Sequence, residues 1–160
     1  MIFLLGNTMP EKISKNFNIV NRRAGFEYFF LDKYVAGIVL TGTEIKSIRE
    51  GKVNIQDAYC LIHDDELYIR NLHISPYSEG THYNHNPLRD RKLLLHKREL
   101  KKLAGKLKDQ GLTIIPIRIF NSEKGLAKVE IALAKGKKLY DKRETIKERD
   151  IKREADRRDY

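Results

Sequence analysis

The residues able to do covalent or metal chemistry are few and badly spaced for it. His82 and His85, in the stretch HYNH, are the nearest pair of metal-ligand types. Two histidines three apart share a metal when a helix brings them onto one face, but Asn86-Pro87 opposes a helix there and no third ligand is near. Cys60 stands in an alternating apolar stretch, where a small core residue is expected rather than a nucleophile. As the single cysteine, it excludes an intrachain disulfide and a cysteine-based zinc site, and it fits a reducing cytoplasm. Ser47, Ser75, Ser78 and Ser122 lack a G-x-S-x-G context. Gly37 and Gly42-Thr43 have phosphate-loop spacing without the lysine that reaches the phosphates. No enzyme, metal or cofactor is expected. The one enzymatic alternative is a nuclease built on His82, His85 and nearby acids.

Basic residues are the stronger signal. The 160-residue chain has a formal net charge of +10, which argues for nucleic acid or another anionic partner. Residues 89–108 hold nine Lys or Arg against two acids. Arg89, Arg91 and Lys92 lead directly into Leu93-Leu94-Leu95. A cationic cluster beside an apolar run suits an RNA loop or bulge, where phosphates meet the cations and an unstacked base meets an apolar side chain. Lys101 to Lys108 read equally well as a solvated helix face. A second cluster is Asn21-Arg22-Arg23, and a third is Lys46, Arg49 and Lys52. The last 26 residues, 135–160, carry 11 basic and 7 acidic groups with few apolar ones. Such a segment cannot dock firmly on a core and is expected to be disordered alone or helical on a partner.

These clusters need a scaffold. Residues 24–31 and 34–41 read as a hairpin around Asp32-Lys33, with Arg22 and Arg23 opening its first strand. Thr43 is the expected N-cap of a short helix over 44–50 that Gly51 stops. Residues 57–63 and 66–74 form a second hairpin around Asp64-Asp65, and 75–92 a long loop. Leu100, Leu103, Ala104 and Leu107 place a helix over 97–110. Strands follow at 112–120, with Ile115, Ile117 and Ile119 on one face and an edge or bulge at Pro116, and at 126–134, with Ala127, Val129, Ile131 and Leu133 facing inward. Six mostly antiparallel strands close most easily as a small barrel, since closure hides sheet edges. The expected fold is therefore mainly β: an OB-fold-like six-stranded antiparallel barrel over 16–136, with short flanking helices. A basic tail spans 137–160. Residues 1–15 are expected to be a disordered N-terminal extension, with Met9 as an alternative start. No segment has the roughly 20 apolar residues of a membrane span. On these grounds alone the chain is an RNA-binding module, either a specific adaptor or a general OB-fold RNA-binding or RNA-chaperone protein.

The stretches NRRAGFEYFF, AGIVLTGTEIKSIREGKVNIQDAY, NLHISPY, RDRKLLLHKREL and AKGKKLYDKRETIKERD together resemble the SsrA-binding protein (small protein B) family, in order and spacing. The resemblance implies an OB-fold barrel that binds the tRNA-like domain of transfer-messenger RNA, one protein per RNA. The pair would act at the decoding centre of stalled ribosomes in the cytoplasm, without DNA or membrane. It also implies a tail that enters the empty mRNA channel. By motif, Asn21 and Leu94 match RNA-contacting positions. Lys137 and Lys138 belong to the motif at the barrel's exit, Tyr140 matches a stacking aromatic or histidine, and Asp141, Lys142 and Arg143 match the ribosome-engaging element. One departure stands out: many members carry Glu where this chain has Val35, and Val cannot accept a hydrogen bond.

Overall fold

Eleven consecutive residues, Tyr28–Ile38, form one strand, where the sequence suggested a hairpin. The computed structural model describes residues 16–80, 83–109 and 111–158. The expected extension over 1–15, with Met9, and His82 lie outside the described residues. Asp32-Lys33 looked like a turn because it interrupts two apolar runs. The strand, β2 below, tolerates the pair because Lys106 meets the Asp32 carboxylate and offsets its charge. The segment before it is not strand either. Asn21 caps a six-residue helix, Arg22–Glu27.

In chain order the elements are β1 (Asn18–Val20), α1 (Arg22–Glu27), β2 (Tyr28–Ile38), α2 (Gly42–Arg49), β3 (Val53–Asn54), β4 (Tyr59–His63), β5 (Glu66–Arg70), β6 (His73–Ile74), β7 (Arg91–Leu94), α3 (Lys97–Lys106), β8 (Leu112–Asn121), β9 (Ala127–Gly136) and α4 (Leu139–Arg158). β2, β7, β5, β4, β8 and β9 pair in that order, and β9 returns to β2. Every pairing is antiparallel. The six-stranded antiparallel barrel is thus present, with a different membership. The two halves of the expected first hairpin are one strand, and the sixth place is taken by β7, inside what read as the end of a loop. β1 adds to the outer part of β8, and β3 pairs with β6 in a separate ribbon.

Local chemistry explains the connections. Asp64 and Asp65 both take positive φ, 49° and 60°. That is the backbone of a two-residue hairpin turn. Thr41, not Thr43, caps α2: it accepts from Glu44 N–H while the Glu44 carboxylate accepts from Thr41 N–H. The Thr-x-x-Glu spacing of a capping box marks that start. Gly51 stops α2 as expected, at φ 75°.

The core is aliphatic. Ile48, Ile69, Ile114, Ile119, Val129 and Ile131 are all fully buried in it, and Cys60 lies among them, where burial pushes its thiol up. The expected shared face of Ile115, Ile117 and Ile119 does not form. The register of β8 against β9 slips at Pro116–Ile117, because proline has no N–H for the ladder. The bulge lets Ile114 and Ile119, five apart, reach one core, while Ile115 joins a smaller cluster with Ala24 and Ala134. The tail is helical over 20 residues with none buried. No helix among the described residues is long and apolar enough to cross a membrane.

Candidate RNA interface

Leu94 ends β7 on the outside of the barrel, 52 % exposed. It faces Gly37 of β2, where a Cβ would lie 3.4 Å from the Leu94 Cβ. Glycine therefore leaves room for the leucine to lie across the strand. Leu31 and Val35 occupy the same outward side of β2 and are as exposed as Leu94. Val35 and Leu94 form a short apolar strip, with exposed Lys33 between it and Leu31. Lys92, two residues before Leu94, reaches Glu66 at 2.8 Å, and Tyr68 donates to the same carboxylate. The Lys92 hydrogen bond holds the Glu66 carboxyl below its usual range. Cations thus border an apolar strip that can take an unstacked base.

Arg91 does not belong to that surface. Its guanidinium is fully buried and ion-paired with Glu44, also fully buried. It donates further to the Leu72 and Pro87 carbonyls. Arg89 closes the other Glu44 oxygen at 2.6 Å. Burial alone would push the Glu44 carboxyl up. Hydrogen bonds from Thr41 N–H, Arg89 and Arg91 outweigh it and hold the group below its ordinary value. The network ties the start of α2 to the loop before β7. His85 tightens the same loop, with Nδ1 on Thr43 Oγ1 and Nε2 on the Ile74 carbonyl. Because a carbonyl only accepts, Nε2 carries the proton and Nδ1 accepts. Both nitrogens are committed to protein partners.

Asn21 is likewise inside, 4 % exposed. Its Oδ1 accepts from Ala24 N–H, and its Nδ2 donates to the Pro116 and Ile55 carbonyls. With those groups spent, Asn21 positions α1 instead of presenting itself to RNA. Asn21→Ala is expected to cost about 1–2 kcal/mol through the lost cap, read as a lower urea midpoint. Arg23 spends its guanidinium on Glu27 and Asp57, while Arg22 is exposed. Lys46 and Arg49 point outward from α2, Lys46 with its ammonium 5.3 Å from the Tyr77 ring centre.

The exit from the barrel adjoins α1. Lys137 N–H donates to the Glu27 carbonyl, and its ammonium donates to the Gly25 carbonyl and Thr145. The same ammonium lies over the Phe29 ring, and Lys142 and Arg149 approach Phe26. Asp141 accepts from Lys138 N–H at the start of α4, and Tyr140 is 61 % exposed. Apart from the internal Asn21 and Arg91, Arg89 on Glu44, and Lys46 and Arg49 on α2, the predicted residues fall in two places. Lys92 and Leu94 lie on the barrel wall. Arg22 and Arg23 lie at the root of the tail with Lys137, Lys138 and Asp141 to Arg143.

The family profile described as "SmpB protein" matches residues 18–159. The chain belongs to the SmpB protein family. A relative from Cytophaga hutchinsonii described as "SsrA-binding protein" is 60% identical over 147 residues, covering 92% of this chain and 96% of the relative. One of the same description from Christiangramia forsetii is 58% identical, covering 91% and 92%. A solved chain, from work described as "tmRNA-SmpB: a journey to the center of the bacterial ribosome", superposes with a TM-score of 0.65 at 49% identity, over 76% of this chain and 85% of that one. The SmpB match begins at β1 and takes in the barrel and nearly all of the tail. Two positions in its motif stretches, Asn21 and Arg91, hold the fold together. The family motif associates Asn21 with RNA and the basic cluster associates Arg91 with it, and nothing in their spacing marks them as buried.

Proposed function

We propose that this chain is an RNA-binding adaptor, not an enzyme, that binds transfer-messenger RNA and works with it on stalled ribosomes in trans-translation. The observation that carries the reading is membership of the SmpB family, with relatives described as SsrA-binding protein over nearly their whole length. The barrel-wall surface of Leu94, Lys92 and the neighbouring Arg89 receives the RNA, with Lys46 and Arg49 as flanking phosphate contacts. Arg22 and Arg23 serve at the tail root. The exposed stripe around Leu94 supports this division, because an apolar side chain among cations reads an unstacked base where a lysine alone reads only charge. Val35 extends the apolar strip beside Leu94. From the barrel, Lys137 and Lys138 lead into α4, where Tyr140 offers a face for stacking on a base and Asp141, Lys142 and Arg143 engage the ribosome. A 20-residue helix is about 30 Å long, a length that suits an RNA-lined channel empty of mRNA. Both partners belong to translation, which puts the protein in the cytoplasm.

The test is selectivity. The protein is titrated with a transcript of the tRNA-like domain and with an unrelated structured RNA of equal length. Strong preference for the former, lost in Leu94→Ser, is expected. Equal affinity for both would leave only a general OB-fold RNA-binding module.

A further inference from the structure

α3 carries a charged face that the reading above does not use. Its apolar side, Leu100, Leu103 and Leu107, packs on the barrel core. Lys97, Arg98, Lys101, Lys102 and Lys108 are all exposed, and none joins a salt bridge among the described residues. Within the helix only Lys106 lies on a carboxylate, that of Asp32 in β2. The carboxylates of the α3 segment do not neutralise its face. Glu99 is half-buried on the flank, and Asp109 lies beyond the last turn. The imbalance leaves this face strongly positive.

Gly105 sits in the middle of it. At about 3.6 residues per turn, Gly105 falls between Lys101 and Lys102 of the preceding turn, with Lys108 on the next. Glycine is the poorest helix former after proline, and Gly105, next to last in α3, is not at the position past the helix end where glycine is favoured. A Cβ at Gly105 would meet nothing within 4 Å, and its φ is not positive. Neither packing nor backbone geometry in this protein requires it. What glycine supplies here is bare helix backbone ringed by cations, which lets another chain's backbone come close.

We propose that the outer face of α3 docks the sugar–phosphate backbone of the transfer-messenger RNA seated at Leu94, with Gly105 at the point of closest approach and Lys101, Lys102 and Lys108 around it. The inference rests on the RNA reading above and extends its footprint. Leu94 ends β7 and Lys97 begins α3, so only two residues separate the two elements along the chain. Charge is complementary, and cations without protein partners release RNA counterions without first breaking an ion pair.

The full-length protein and three variants, Gly105→Ala, Lys101→Ala with Lys102→Ala, and Leu94→Ser, are titrated with a tRNA-like-domain transcript over a range of salt, and each is melted. Gly105→Ala is expected to melt higher and bind several-fold more weakly. The lysine pair should flatten the slope of log K against log salt by about 1.4 to 1.8, at about 0.7 to 0.9 per lost phosphate contact. Unchanged affinity and slope in the glycine and lysine variants, with Leu94→Ser impaired, would overturn the α3 surface alone. No loss in any variant, Leu94→Ser included, would overturn the RNA reading beneath it. A lower melting temperature for Gly105→Ala would assign the glycine to the fold and end its role as an approach point.

Discussion

Ending the chain after Leu139 is expected to leave binding to transfer-messenger RNA nearly unchanged and to abolish peptide tagging on stalled ribosomes. The barrel is complete at Gly136, and α4 has no buried residue, so its removal opens no core. Lys137 keeps its bonds to the Glu27 and Gly25 carbonyls. Residues 140–160 carry eight basic and seven acidic groups. Their loss removes almost no net charge and therefore little non-specific attraction to phosphate. What goes is Tyr140 and the Asp141 to Arg143 element. Lys142→Glu with Arg143→Glu should reproduce the tagging defect with full RNA affinity. Gel-shift titration beside a tagging assay checks both. A truncated protein that still supports tagging would remove the tail from the mechanism. A large loss of RNA affinity would make it a non-specific anchor.

The second large effect is on stability. Arg91→Leu is expected to cost about 3–5 kcal/mol, because it removes the buried half of the Glu44 pairing and leaves only the partly exposed Arg89 as cation to a fully buried carboxylate. Urea denaturation should show a much lower midpoint, and RNA binding should fall only in proportion to the folded fraction. Glu44→Met with Arg91→Leu should regain much of that stability, since two apolar side chains of similar volume leave no fully buried charge and only the partly exposed Arg89 loses its partner. If the double variant is no better than the single one, the cost lies in the Leu72 and Pro87 carbonyls. The same pair sets an acid limit. The folded-state pKa of Glu44 is depressed, so its contribution is complete above the ordinary Glu range of about 4.3 and is lost as pH falls through the lower folded value. Lys92→Glu, by contrast, should leave the fold intact and weaken RNA binding, since Lys92 is half-buried and its ammonium is paired at the surface.

Periodicity read well wherever one face of an element is wet. The Asp64-Asp65 hairpin, the α3 stripe and the inward row of Val129, Ile131 and Leu133 follow from alternation and helical spacing alone. It failed where a side chain is satisfied by something distant. Asp32 looked like a turn residue because Lys106, 74 positions away, is what holds it in a strand. Arg91 looked like a phosphate ligand because Glu44, 47 positions away, is what buries it. The burial of Asn21 was not legible either, because the Ile55 and Pro116 carbonyls that occupy it come from other parts of the chain. β7 was hidden by the polar residues that open it. Thr41 is the exception, since the Thr-x-x-Glu spacing was there to read.

By itself the sequence determined the β-rich barrel and the basic character, because these follow from composition and local spacing. Its motif stretches also carried the family. Only the tertiary structure decided which cations face solvent and which are internal struts. An arginine's pairing is set by chain crossings that bring remote residues together, and one-dimensional charge is the same whether or not a carboxylate waits across the barrel. That sorting leaves Leu94 and Lys92 on the wall, Arg22 and Arg23 at the tail root, and Arg91 and Asn21 within the fold.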